Sequence, residues 1–251
     1  MRRINYISLI IGLMIAMAST QAQTPQSEWE FKINGGYNIG GSSPLPLPVE
    51  VRKIEQYKVN GFAPHVALEV IRWFNPQWGI SAQLALDYKG FTVANRVKNL
   101  HTEIEMGDEM YVGHFTGKNT TSIRNTYFCL PILANYRLSE DWLVQMGLYS
   151  GYLYHPDFKG TASDGYIRRG TPVGEKTIVD EATFDFSESQ NKYDFGFVAA
   201  AEWEFYPKLA IRGQLAWGIR PLFPSDFTGM PFKMYNIYGS IGLSYSLAKR
   251  K

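Results

Sequence analysis

The sequence predicts an all-β chain: an eight-stranded antiparallel up-and-down barrel of the transmembrane, outer-membrane type. Three observations carry this. Apolar and polar residues alternate with a period of two through most of the chain. The alternating runs are longer than the strands of a soluble sandwich, usually about 5–6 residues, and match the about 9–11 that a tilted strand needs to cross a bilayer. Short turns also take turns with long connections, the asymmetry of barrels with tight turns at one rim and long loops at the other.

The N-terminus is set apart. Arg2 and Arg3 precede an apolar run from Ile7 to Met17 and small residues ending at Ala22. This is the three-part pattern of a secretory signal peptide, so residues 1–22 are expected to be removed and 23–251 to form the barrel domain. The run is too short for a membrane anchor, and no other stretch is long enough for a membrane helix. A mean hydropathy of −0.20 does not count against a barrel, since only alternate residues face lipid. Without Arg2 and Arg3, the 25 basic residues become 23 and balance the 23 acidic ones, giving no support for a nucleic-acid partner. Cys129 stands alone, so no intramolecular disulfide is possible.

The first strand places Trp29, Phe31, Ile33, Tyr37 and Ile39 on one face and Glu30, Lys32, Asn34 and Asn38 on the other. The connection from Gly41 to Gly61 contains Pro44, Pro46 and Pro48, which do not join a sheet interior. The second strand, Val66 to Phe74, turns Val66, Leu68 and Val70 outward; Asn75 and Pro76 then make a tight turn. The third, Gly79 to Phe91, sets Ile80, Leu84 and Leu86 against Ser81, Gln83, Asp87 and Lys89. A polar connection follows to about Thr121.

The fourth strand, Asn125 to Leu138, carries Pro131 at its middle, which predicts a bulge. Ser139, Glu140 and Asp141 form the second short turn, and a fifth strand runs from Trp142 to Tyr154. The longest loop is expected from His155 to Asn191. In the sixth strand Phe195, Phe197 and Trp203 oppose Asp194, Glu202 and Glu204. After a turn at Pro207, the seventh sets Ile211, Leu215 and Trp217 against Arg212 and Arg220. The last is the most regular: Tyr235, Ile237, Ile241, Leu243, Tyr245 and Leu247 alternate with small or polar residues. Trp29, Trp73, Trp78, Trp142 and Trp203 all fall beside the short turns, which predicts an aromatic girdle at that membrane boundary.

Ser240, Gly242, Tyr245 and Leu247 read polar-x-Gly-x-x-aromatic-x-hydrophobic and resemble the C-terminal signal of outer-membrane barrels. The resemblance implies the barrel-insertion machinery as a partner. The chain is also similar to the eight-stranded PorT-like barrels common in Bacteroidetes. This rests on Gly35-Gly36-Tyr37-Asn38-Ile39-Gly40-Gly41, on Gly165-Tyr166-Ile167-Arg168 with Gly174-Glu175-Lys176, and on Met234-Tyr235-Asn236-Ile237-Tyr238. Such motifs imply the fold and the outer membrane as location but no activity, and a secretion role is not carried over.

An interior only wide enough for side chains would bring together Glu30, Glu69, Asp87, Asp194, Glu202 and Glu204 with Lys32, Lys89, Arg137, Arg212 and Arg220. Charges there must be paired, so the set predicts an ion-pair plug rather than a proton or ion path. Glu202 and Glu204 imitate a catalytic carboxylate pair but have no nucleophile. His65, His101, His114 and His155 show no metal-ligand spacing, and no metal or cofactor is expected. Ser150, His155 and Asp157 are the best imitation of a hydrolase triad. The leading reading is a non-enzymatic barrel, expected as a monomer in outer-membrane lipid, with binding by its long outer loops. The alternatives are a lipid-modifying enzyme acting at the outer rim, a small-solute porin, a protein-secretion component and a soluble lipocalin-type barrel.

Overall fold

The computed structural model describes residues 29–59, 61–107 and 109–249. Within them the alternating runs form β1 (Trp29–Pro44), β2 (Val51–Val59), β3 (Pro64–Trp73), β4 (Trp78–Met106), β5 (Glu109–Arg137) and β6 (Trp142–His155). There follow β7 (Phe158–Arg169), β8 (Lys176–Asp185), a 3-10 turn at Ser187–Ser189, β9 (Tyr193–Tyr206), β10 (Leu209–Gly218) and β11 (Met234–Lys249). The expected signal peptide, residues 1–22, lies outside the described residues.

Antiparallel pairing runs β1–β3–β4–β5–β6–β9–β10–β11 and returns to β1. The sheet therefore closes on itself. Closure is tight where β11 meets β1: a Cβ at Gly242 would lie 2.0 Å from the Gly35 carbonyl oxygen, so only glycine fits there. At the short-turn end, the Asn75 side chain accepts from the Gln77 and Trp78 amides at 2.9 and 2.8 Å. Ser139 Oγ accepts from the Trp142 amide at 3.2 Å. Both are side-chain mimics of a turn.

The strand count corrects the expectation of eight. Among the described residues there are eleven, and β2, β7 and β8 come from segments read as connections. The polar stretch after Phe91 is likewise strand: β4 and β5 each run 29 residues, roughly three times the about 9–11 of a crossing. Their far halves leave the barrel as a hairpin. There β2 pairs with Phe91–Val97 of β4, and β7 pairs with Gly113–Ile123 of β5. β8 pairs with β7 and touches β4 at Glu105. The outer extension is thus a paired sheet and not a set of loops.

The bulge expected at Pro131 is absent. Pro131 pairs in register with Tyr149 of β6. On the β4 side the pairing lapses between Ala82–Ile132 and Ala85–Cys129, and resumes in the same register. Without an N–H, proline costs the ladder a bond there, and the strand absorbs the loss without an extra residue.

Around the barrel, Val66, Leu68, Leu84, Leu130, Ile132 and Phe197 point outward and are exposed, while their neighbours in sequence point in. On β4 the step from Trp78 to Tyr88 is ten residues; at about 3.3 Å per residue and about 40° of tilt it rises about 25 Å, the height of a lipid-facing band.

Candidate functional site

The inward rows build two tiers of opposite chemistry. In the lower one, Glu30 accepts from Trp73 Nε1 at 2.9 Å, from Ser246 Oγ at 2.9 Å and from Arg137 at 3.3 Å. Above it, Lys32 donates to Glu202 at 2.7 Å, and Arg212 donates to both Glu202 and Gln145. Glu69 takes bonds from Asn34 at 2.9 Å and Gln145 at 2.7 Å, with Arg212 4.0 Å away. Higher still, Lys89 lies 3.5 Å from Asp194, which also accepts from Tyr149 and Asn236, each at 2.9 Å. The Lys89 ammonium sits among the Tyr127, Tyr149 and Tyr238 rings, 4.7–5.6 Å from their centroids, close enough for cation–π attraction. Asp87 is held by Asn38 at 3.1 Å and by His65 at 2.7 Å.

Three residues expected here stand elsewhere or only at the edge. Arg137 is half-buried at the short-turn mouth, its guanidinium 3.6 Å from the centroid of the Trp73 ring. Glu204, also half-buried, accepts from the Lys208 amide at 3.2 Å at that rim. Arg220 lies beyond the end of β10 and reaches Asn191 at 3.5 Å near the outer end. The girdle also needs correction. Trp29, Trp78, Trp142 and Trp203 are exposed on the outside, but Trp73 is buried, because its indole N–H belongs to Glu30. Sequence reading put Asn34 and Asn38 on the polar face of the first strand but named neither them nor His65, Tyr127, Tyr149 or Gln145 in the charged network. Those on strands already aligned share the inward parity of the charged residues, which was the available signal.

The triad residues are not brought together. Ser150 and His155 are both on β6, five residues apart along one extended strand, which separates them by about 16 Å. Among the described residues no group of three or more His, Cys, Asp or Glu is placed to hold a metal ion.

The upper tier begins two residues beyond Lys89. There Phe91, Val93 and Asn95 continue the inward row and, with Phe158, Phe184 and Phe186, line a cavity of about 510 Å³. Among the described residues its lining contains no Asp, Glu, Lys, Arg or His. The volume falls within the about 300–1,000 Å³ of small-molecule sites. Its walls are stiffened by packed rings: Phe184 against Phe186 at 5.2 Å and Phe158 against Phe223 at 5.1 Å. The Asn95 Oδ1 atom is buried without a hydrogen-bond partner, an arrangement that costs free energy until a donor meets it.

A closed antiparallel barrel with an apolar outer face and a charged interior is the architecture of bacterial outer-membrane proteins, and the family comparison agrees. The family model for the outer membrane protein beta-barrel domain matches residues 21–224. The chain belongs to that family. Its location is accordingly the cell outer membrane. No curated protein matches it. Among solved structures it is similar to Ail, the attachment invasion locus protein of Yersinia pestis, at 12% identity, with 89% of this chain and 100% of that one covered and a TM-score of 0.38. Outer membrane protein AlkL gives 9% identity, 92% and 98% coverage and a TM-score of 0.36. The CymD monoaromatic hydrocarbon channel gives 8%, 90% and 90%, and 0.21.

Proposed function

We propose that the protein is a non-enzymatic outer-membrane barrel that binds a small apolar ligand in its outer extension. In this reading the eight closing strands cross the bilayer and the lower tier shuts the lumen. Tyr245 and Leu247, exposed on the outer face of β11, are open to the insertion machinery. The PorT-like placing within the family rests on the glycine motifs of β1 and of the β7–β8 hairpin and on Met234-Tyr235-Asn236-Ile237-Tyr238 at the start of β11.

One observation carries the reading: a cavity of ligand size with no charged residue among its described lining, stacked on a tier whose buried charges are each held by hydrogen bonds. The lower tier offers a solute no apolar path, and the upper tier offers it no charged partner. Catalysis has no support in the placing of Ser150 and His155.

The test uses the purified full-length barrel. N-phenyl-1-naphthylamine, a neutral dye with one N–H, is expected to bind saturably in detergent, and Val93→Trp, which fills the cavity, is expected to abolish that phase. Planar bilayers should show no sustained single-channel conductance. Unsaturable dye uptake that ignores Val93→Trp in a variant with normal heat-modifiable gel mobility would overturn the cavity as a binding site. Steady conductance would overturn the plug.

A further inference from the structure

The wall of the cavity has a seam. Below it β1 is flanked on both sides, by β11 and by β3, with the last β1–β3 pair at Tyr37 and Pro64 and the Asn38 amide donating to Ala63 at 2.7 Å. Above Asn38 the β1 backbone from Ile39 to Pro44 pairs with β11 alone. The strand that replaces β3 at this height is β2, and it pairs with β4; among the described residues no backbone pairing joins β1 to β2. What spans the gap is a side chain: the Tyr57 hydroxyl donates to the Gly40 carbonyl at 2.6 Å. Burial raises the Tyr57 pKa above the usual phenol range, so the donor keeps its proton at neutral pH. Leu45, Leu47 and Ile54 edge the same cavity and are each about half exposed.

The height of the seam matters. Ten residues above Trp29 on β1 stands Ile39, the last exposed apolar residue of that row within the strand. Ten residues of tilted strand rise about 25 Å, the height of the apolar band. Gly40 to Pro44 therefore open at the level where hydrocarbon gives way to headgroups, and the opening is edged by aliphatic side chains.

We propose that this seam is a lateral entrance through which an uncharged, lipid-like amphiphile passes between the outer leaflet and the cavity. The inference rests on the cavity being a binding site and adds its ligand class and route. The absence of any charged lining residue selects a neutral ligand. The phenylalanine walls select a hydrocarbon chain or ring, and the unpartnered Asn95 Oδ1 selects a head that donates one hydrogen bond, such as a hydroxyl or amide. A leaflet is where such molecules are concentrated.

The experiment uses full-length protein with a photoactivatable diazirine hexadecanol, in detergent micelles and in phosphatidylcholine vesicles preloaded with the probe, and maps labelled peptides by mass spectrometry. The wild type is expected to be labelled at 184–186 and 230–237 in both settings, and far less by the sulfate ester of the same alcohol. Asn95→Leu should weaken labelling by the alcohol about tenfold while leaving labelling by the matching alkane unchanged. Ile54→Lys places a charge in the entrance at an exposed position. It should slow the initial labelling rate from vesicles about tenfold, whereas Ile178→Lys, equally exposed on β8, should not. Outer-face labelling of the belt controls for folding. No cavity labelling of the wild type in either setting would remove the binding site itself. Cavity labelling whose rate from vesicles ignores Ile54→Lys would leave the site and remove the lateral route, and equal labelling by the sulfate would remove the neutral class.

Discussion

Glu202 is the residue whose loss tests the plug most directly. It joins two cations from different strands: Lys32 at 2.7 Å on one oxygen and Arg212 on the other. All three side chains are less than one-tenth exposed. Glu202→Leu leaves Lys32 with Glu30 at 3.7 Å and Arg212 with Glu69 at 4.0 Å, distances that give no close replacement. Removing one partner of a buried pair costs about 3–5 kcal/mol, because the remaining charge stays desolvated. Removing both partners is milder, so Lys32→Met combined with Glu202→Leu should recover part of that loss. Urea unfolding of vesicle-folded protein, followed by tryptophan emission and heat-modifiable mobility, gives the cycle. A single-variant cost below about 1 kcal/mol, the range of solvated pairs, would mean that water reaches Glu202 and that the lumen is not a sealed interior.

Three further outcomes follow from the same geometry. Gly242→Val puts a side chain into the Gly35 carbonyl and should prevent closure of the barrel, read as loss of heat-modifiable mobility; Gly213→Ala, where an added Cβ meets nothing within 4 Å, should fold normally. Trp73→Phe removes a buried donor to Glu30 and should cost about 1–3 kcal/mol, whereas Trp29→Phe on the outer face should stay within about 0.5 kcal/mol. Asp185 lies beside the phenylalanine wall; burial raises its pKa, but bonds from the Ser187 hydroxyl and amide and from Lys159 outweigh this and lower it overall. A lowered pKa contributes stability that is complete above the unfolded value, about 3.9, and lost as pH falls through the folded one. Saturable dye binding should therefore weaken below about pH 4, and Asp185→Asn should flatten that dependence.

How far the sequence could be read depends on what each strand faces. Where lipid lies on one side and charge on the other, as in β1 with Trp29, Phe31 and Ile33 outward and Glu30 and Lys32 inward, alternation is unambiguous and even the inward charges can be named. Trp73 went astray because a tryptophan at a strand end fits either face; only the position of Glu30 across the sheet decides it. The outer strands hid for a different reason. β2 has no strongly buried residue, so Val51, Ile54 and Tyr57 are scattered among charges without a dry face. β7 and β8 are rich in Gly, Asp and Thr and hold their shape through pairing with β5 and with each other. Their apolar residues, Phe158, Ile167, Val179 and Phe184, are spaced too irregularly to announce a period, yet all are buried.

The most informative lapse is in β4. From Ser81 to Lys89 its inward row is mainly polar; from Phe91 the inward row turns apolar, continuing to Val93 and resuming at Leu100 after a register shift between Val97 and Leu100. A rule that treats polar as inward ends the strand at this point, although the backbone continues. The change of solvent explains it. Below Phe91 the outside is hydrocarbon and the inside must carry the polar groups. Above it the outside is water, so the extension packs like a soluble sheet with its grease within. The cavity is thus a consequence of crossing that boundary, and the tier below it holds Lys89, bound to Asp194 among three tyrosine rings. A ligand that enters the cavity is retained on the outer side. Vesicles bearing the protein and preloaded with the diazirine alcohol should consequently show labelling at 184–186 and 230–237 but none at the inward residues of the lower tier, such as Gln145 and Ser244; labelling at those residues would mean that this tier opens and that the barrel conducts its ligand inward.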